Sequence, residues 1–102
     1  MYLIQLLLPR QTRTGEFVGE AAFVRTREEL VNVFDGVTAY LRAPAQGVWT
    51  DPEGRRERDD VVMVEVLAET FDRDWWRAYA DTLRERFGQE AMHIRALPAE
   101  TP

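Results

Sequence analysis

The run Val61-Val62-Met63-Val64-Glu65-Val66-Leu67 is apolar at every position but one and rich in β-branched residues. Such side chains are stiff about their first torsion and pack well on a pleated surface, so the run reads as a central strand. A second run, Tyr2-Leu3-Ile4-Gln5-Leu6-Leu7-Leu8, closed by Pro9, has the length and placement of another. A chain with two such segments must build a sheet around them, because their backbone donors and acceptors need partners once buried.

The segments between them supply the other elements. Arg10 to Glu20 is polar, contains Gly15 and Gly19, and reads as a loop. From Ala21 to Phe34, apolar Phe23, Leu30, Val31 and Phe34 fall near helical spacing, and Asp35-Gly36 supplies a stop. The start of this helix has two readings. Thr26 followed by Glu29 is the spacing of a capping box, or else Phe23 already lies on the buried face. Val37 to Arg42 alternates as a half-buried strand, and Pro44 and Gly47 place it at a sheet edge or bulge before it resumes toward Val48-Trp49-Thr50. Asp51-Pro52-Glu53-Gly54 carries turn chemistry and makes a long hairpin with the Val61 strand.

Asp72 is placed to cap a second helix, with Asp74 in its first turn, Arg84 and Arg86 near its end, and Gly88 as its stop. Along it Trp76, Tyr79, Leu83 and Phe87 recur at steps of three or four, with Ala80 as a small contact position, which is a core-facing stripe. Ala91 to Leu97 reads as the last strand, before a frayed tail from Pro98 to Pro102. The order strand, helix, strand, strand, helix, strand is that of an α+β, ferredoxin-like βαββαβ sandwich. It implies a four-stranded antiparallel sheet with two helices on one face. At 102 residues the chain is expected to be one domain, 1–102, burying roughly 65% of its unfolded surface. The other sheet face is then bare, and an open face of that size marks a partner or a ligand.

Composition narrows the chemistry. The chain has 13 basic residues, all arginine, one histidine, His93, and no lysine, serine or cysteine, so the commonest nucleophiles are missing. Without cysteine there is no disulfide framework or thiolate metal site, which fits a reducing cytoplasm. A net charge of −5 argues against a nucleic-acid partner. The dense basic stretch Arg55-Arg56-Glu57-Arg58 is balanced at once by Asp59-Asp60 and reads as a solvated hairpin. The apolar opening meets Pro9-Arg10 too early for a membrane span, so no membrane partner is expected. One histidine among scattered carboxylates offers no metal-ligand spacing, and the scattered glycines form no phosphate loop; no metal and no cofactor are expected.

If Ile4, Leu6, Ala39, Leu41, Val62, Val64, Met92 and Ile94 face the helices, strict alternation sends Leu3, Gln5, Leu7, Thr38, Tyr40, Arg42, Val61, Met63, Glu65, Leu67, His93 and Arg95 to the open face. That set mixes apolar groups with a few hydrogen-bonding ones, as small-molecule pockets do. Gln5, Arg42, Trp49 and Arg95 are the candidate ligand-binding residues, with the arginines suited to a carboxylate or phenolate. His93 is the candidate general base, Glu65 its orienting partner and Tyr40 a donor to a developing oxyanion.

The stretches Tyr2-Leu3-Ile4-Gln5-Leu6, Val61 to Leu67, Arg86-Phe87-Gly88-Gln89 and His93-Ile94-Arg95 carry a resemblance, over the full chain, to the dimeric α+β barrel superfamily. The resemblance implies two ferredoxin-like protomers packed sheet to sheet, hence a homodimer. The superfamily includes cofactor-independent oxygenases, lactone isomerases, haem-handling proteins and members of unassigned activity. Haem-handling members commonly ligate iron through a histidine on a helix, and the segment Asp72 to Phe87 has none, so the haem branch is not expected. Two functions lead, a dimeric module binding a small apolar or aromatic anion, or a cofactor-independent oxygenase- or isomerase-type enzyme with His93 as base; a third is a stress or scaffold protein that works only through its surface.

Overall fold

A computed structural model of the chain describes the backbone of residues 1–50 and 56–102 and the side chains of residues 1–36 and 61–102. The elements run β1 (Tyr2–Pro9), α1 (Glu20–Val33), β2 (Gly36–Thr50), β3 (Arg56–Ala68), α2 (Arg73–Arg86) and β4 (His93–Pro98). The chain is thus an α+β protein with two helices and an antiparallel sheet, its strands ordered β2-β3-β1-β4. The break expected at Pro44 and Gly47 is a change of register within one strand, between Tyr40 and Ala43 and again between Ala43 and Gly47. β3 begins earlier than its apolar run implies: Arg56, Glu57, Arg58 and Asp59 already pair with β2, so these charged residues extend the hairpin ladder. β4 begins at His93 rather than at Ala91 and runs one residue past Leu97. The turn expected at Asp51 to Gly54 lies outside the described residues.

Alternation decides which side of the sheet becomes core. Ile4, Leu6 and Leu8 of β1 and Val62, Val64 and Val66 of β3 are buried, and they pack with Leu30 of α1, with Trp76, Tyr79 and Leu83 of α2 and with Phe87 at its C-cap. Both helices therefore cover the same face. Met92 and Ile94 flank this core as expected, whereas the side chains of Ala39 and Leu41 lie outside the described residues. Each fully buried aliphatic side chain contributes roughly 1.5–3 kcal/mol, so the six strand positions and the α2 stripe dominate the stability of the fold.

The helix ends show where local signals hold and where they mislead. Asp72 caps α2 as expected, its Oδ1 accepting the Trp75 amide at 3.1 Å. At the other end Gly88 has φ +62, and the amide of Gln89 reaches the carbonyl of Arg84 at 2.9 Å, a Schellman closure. α1 opens at Glu20 behind Gly19, which provides no side-chain cap. Thr26 is therefore mid-helix, with its hydroxyl donating to the Ala22 carbonyl at 2.8 Å, and the capping-box reading of Thr26 and Glu29 is replaced by the alternative in which Phe23 is on the packed face. A box needs free amides, and at Thr26 the helix has already satisfied them.

The loop from Arg10 to Gly19 closes on itself and on the end of α2. Gln11 bridges Phe17, the Val18 amide reaches the Arg10 carbonyl at 2.8 Å, and the Arg13 amide reaches the Gly88 carbonyl at 3.0 Å. Gln89 Nε2 donates to the Gln11 carbonyl at 2.8 Å and Arg13 pairs with Glu90 at 2.6 Å. Gly88 is the pivot: its backbone is left-handed, and a Cβ there would stand 2.8 Å from Thr12 Cγ2. Gly88→Ala is expected to cost about 1–2 kcal/mol, from the backbone conformation and the clash together. Thermal unfolding measures it, and an unchanged midpoint would mean that the loop yields freely. Among the described residues, no helix is long and apolar enough to cross a membrane.

Candidate functional site

The sheet face away from the helices carries the residues of interest, and register sorts them into rows. Gln5 stands opposite Glu65 on one side and Arg95 on the other. Its amide donates through Nε2 to Glu65 Oε2 at 2.9 Å and accepts through Oε1 from Arg95 Nε at 2.9 Å. A carboxylate only accepts and a guanidinium only donates, so the two charged neighbours fix which way the amide points. The result is a polar row, Glu65–Gln5–Arg95, running from an acidic end to a basic end across three strands. The Nε bond uses one of the five N–H donors of the guanidinium.

Apolar rows flank it. Two residues along the strands toward one end, Leu3 is opposite Leu67 and Leu97, which are 37% and 44% exposed. Toward the other end, Leu7 is opposite Met63 and His93. Gln5, Leu3, Leu7, Met63 and Glu65 are half-buried, while Arg95 and His93 are exposed. The face thus has a charged line flanked by Leu3, Leu67 and Leu97 on one side and by Leu7 and Met63, with His93 at the end of their row, on the other, a pattern that binds apolar groups and orients a polar one.

Of the candidate residues, the structure brings Gln5, Glu65 and Arg95 into direct contact. It does not bring His93 to Glu65. His93 lies one row on and two strands across, with β1 between them, a separation of roughly 12 Å between Cα atoms by sheet spacing. A base and its orienter need hydrogen-bond contact, and the Glu65 carboxylate instead holds Gln5. Within one chain the pairing of His93 with Glu65 therefore does not form. Tyr40 is backbone-paired with Met63, in the row of His93, and Thr38 with Glu65. The side chains of Tyr40, Arg42 and Trp49 lie outside the described residues.

A second polar cluster lies between the helices, and it was not foreseen as one. Arg86 of α2 grips Glu29 of α1 with both ends of its fork, Nη1 to Oε1 at 2.6 Å and Nη2 to Oε2 at 3.0 Å. Nη1 also donates to the Thr26 hydroxyl at 2.9 Å, and the Tyr79 hydroxyl donates to Glu29 Oε1 at 3.1 Å. The Arg86 side chain is only 10% exposed. The hydrogen bond from Arg86 holds the Glu29 carboxyl below its ordinary range despite partial desolvation, and the same contact raises the guanidinium. Burial, reinforced by the charge of Glu29, pushes the Tyr79 phenol up, so it remains a donor throughout the neutral range. Every charge here has a partner, and the cluster works as a clamp between α1 and α2. The sequence signal was available in part: Tyr79 and Arg86 are two helical turns apart on one face, as Thr26 and Glu29 are one turn apart on theirs.

Among the described residues, no group of three or more histidines, aspartates or glutamates is placed to hold a metal ion. No protein-family model, curated protein or solved structure matches this chain.

Proposed function

We propose that the chain is a single ferredoxin-like domain that works in the cytoplasm as a homodimer, closing its open sheet face against a second copy and holding a small apolar or aromatic anion between the two faces. The observation that carries this reading is the Glu65–Gln5–Arg95 row set between the apolar rows of Leu3 and Leu7. The strand order β2-β3-β1-β4 with both helices on one side supports the ferredoxin-like assignment. The polar row also favours a copy of itself. A two-fold axis along β1 through Gln5 sets Glu65 of each chain over Arg95 of the other, whereas an axis across the strands would stack like charges. An anionic ligand in the apolar space beside the row shares that guanidinium, with its body against Leu3 and Leu7.

Light scattering over a dilution series tests the assembly. Twice the chain mass of 11.9 kDa is expected at high concentration, and a monomer at every concentration overturns the reading. Arg95→Glu is expected to weaken the dimer at least about tenfold, because it places like charges across the axis, and adding Glu65→Arg restores it. For the ligand, salicylate is expected to shift the backbone resonances of Leu3, Gln5 and Arg95 saturably in the dimer. Its failure to do so leaves an assembly module without the binding role.

A further inference from the structure

On the helix side, at the end of the sheet away from His93, three aromatic rings form a corner. Phe34, which ends α1, and Trp76 lie nearly parallel at 16° with centroids 5.4 Å apart. Trp75 stands across both, at 88° to Phe34 and 78° to Trp76, with centroids 5.3 and 4.8 Å away. These rings, with Val33, Thr70 and Asp72, line a cleft of about 160 Å³. A cavity of about 150 Å³ suffices for a benzene molecule, so the cleft has room for a compact ligand head. It shares Val33, Phe34 and Thr70 with a wider groove of about 530 Å³ whose lining includes Asp35 and Glu69.

The side-chain charges of this lining are one-sided, and Met1, which carries the amino terminus, lines only the wider groove and not the cleft. Among the described residues, Asp35, Glu69 and Asp72 contribute carboxylates and no arginine or histidine lines either space. Arg73, beside Asp72 in sequence, is engaged elsewhere, its guanidinium 5.5 Å from the centroid of the Phe71 ring. Aromatic faces carry negative potential and draw cations, most strongly for tryptophan, and a nearby carboxylate adds to that field. Asp72 is held in place by the Trp75 amide, so its charge stays at the mouth of the corner.

We propose that this cleft binds an organic cation, a quaternary or alkylated ammonium with an apolar body, its head against Trp75 and Asp72 and its body along the groove toward Leu67. The cleft lies on the helix side, its groove reaching the margin of the open sheet face at Leu67, and it selects the opposite charge. The small volume favours a compact ammonium head over the broader guanidinium face of a basic peptide.

The test uses the full chain labelled with ¹⁵N, titrated with choline chloride and, separately, with 3,3-dimethylbutan-1-ol, which has the same shape without the charge. Salt is matched throughout and the tryptophan indole N–H signals are followed. Choline is expected to shift the Trp75 and Trp76 signals saturably and to bind several-fold to about tenfold more tightly than the alcohol. Asp72→Asn keeps an oxygen that caps α2 but removes the charge, and is expected to weaken choline severalfold while leaving the alcohol unchanged. Trp75→Leu is expected to abolish the preference for choline. Equal binding of choline and the alcohol, no saturable shift with choline, or binding of an arginine-rich peptide without choline would each overturn the proposal.

Discussion

Phe87→Ala is expected to lower the unfolding free energy by about 4 kcal/mol and the thermal midpoint by about 20 °C. Phe87 is fully buried, sits edge-on to Phe23 with centroids 5.1 Å apart, and immediately precedes Gly88. Truncation loses the transfer free energy of the ring and leaves a void walled by both helices and the sheet. The surroundings are poorly placed to collapse, because the amide of Phe87 is bound to Leu83 and the Gly88 carbonyl to Arg13. Phe87→Leu fills most of the void and is expected to cost about 1–1.5 kcal/mol. Urea unfolding gives both values. A loss under about 1.5 kcal/mol for the alanine variant would mean that the ring is not packed as described. A domain of this size has about 5–15 kcal/mol in hand, so the alanine variant should remain folded but be visibly marginal.

Arg86→Met is expected to cost about 2 kcal/mol at neutral pH, below the 3–5 of a fully buried broken pair because Glu29 remains 36% exposed. Methionine keeps the stem of the arginine but leaves Glu29 charged without its fork, and the Thr26 hydroxyl without its donor. Adding Glu29→Gln removes the stranded charge and should recover at least half of the loss, which a double-mutant cycle measures. The pH dependence has a definite sign. The Glu29 carboxyl is held below its ordinary value in the folded chain, so its contribution is complete above the unfolded carboxylate range. It is lost as pH falls through the lowered folded value. The gap between wild type and Arg86→Met should therefore narrow in acid, from roughly 2 kcal/mol at neutral pH toward zero once the pH has fallen below the lowered folded value, where Glu29 is protonated in both. A gap that stays constant down to that pH would assign the loss to packing of the side chain and not to the ion pair.

Much of the architecture was legible because it rests on local periodicity. The stripe Trp76, Tyr79, Leu83 and Phe87, the cap at Asp72 and the left-handed stop at Gly88 depend on residues within about three turns of one another, and all three stand in the structure. The core side of β1 was readable for a related reason: Gln5, the one polar residue in that run, falls on the face opposite Ile4, Leu6 and Leu8. Thr26 and Glu29 show the limit. Their spacing suits a capping box and a mid-helix ledge equally; what decides between them is the start of α1 at Glu20, and the partner that makes them a ledge, Arg86, lies 57 residues from Glu29 in sequence. The same holds for the open face. Alternation put His93, Glu65, Gln5 and Arg95 on one side, but which of them touch depends on β1 lying between β3 and β4. The sequence spacing of His93 and Glu65 carries no trace of that interposed strand. The aromatic corner escaped notice because a helical stripe draws attention to Trp76, whereas the cleft is made by its neighbour Trp75 with Phe34 from the other helix.

The central position of β1 sets a problem for the growing chain. This strand is the first to be made, yet Gln5 waits 60 residues for Glu65 and 90 for Arg95. At cellular rates of roughly 5–20 residues per second, the interval before its last neighbour arrives is on the order of 5–18 seconds. Until β3 arrives, Leu3, Ile4, Leu6, Leu7 and Leu8 form an unpaired apolar segment, and until β4 arrives one edge of it stays open, the kind of segment that adheres to other nascent strands or is captured by a chaperone. Rapid translation of the stretch from Pro9 to His93 would shorten the exposure, and a pause within it would lengthen the period in which two chains on one message can entangle.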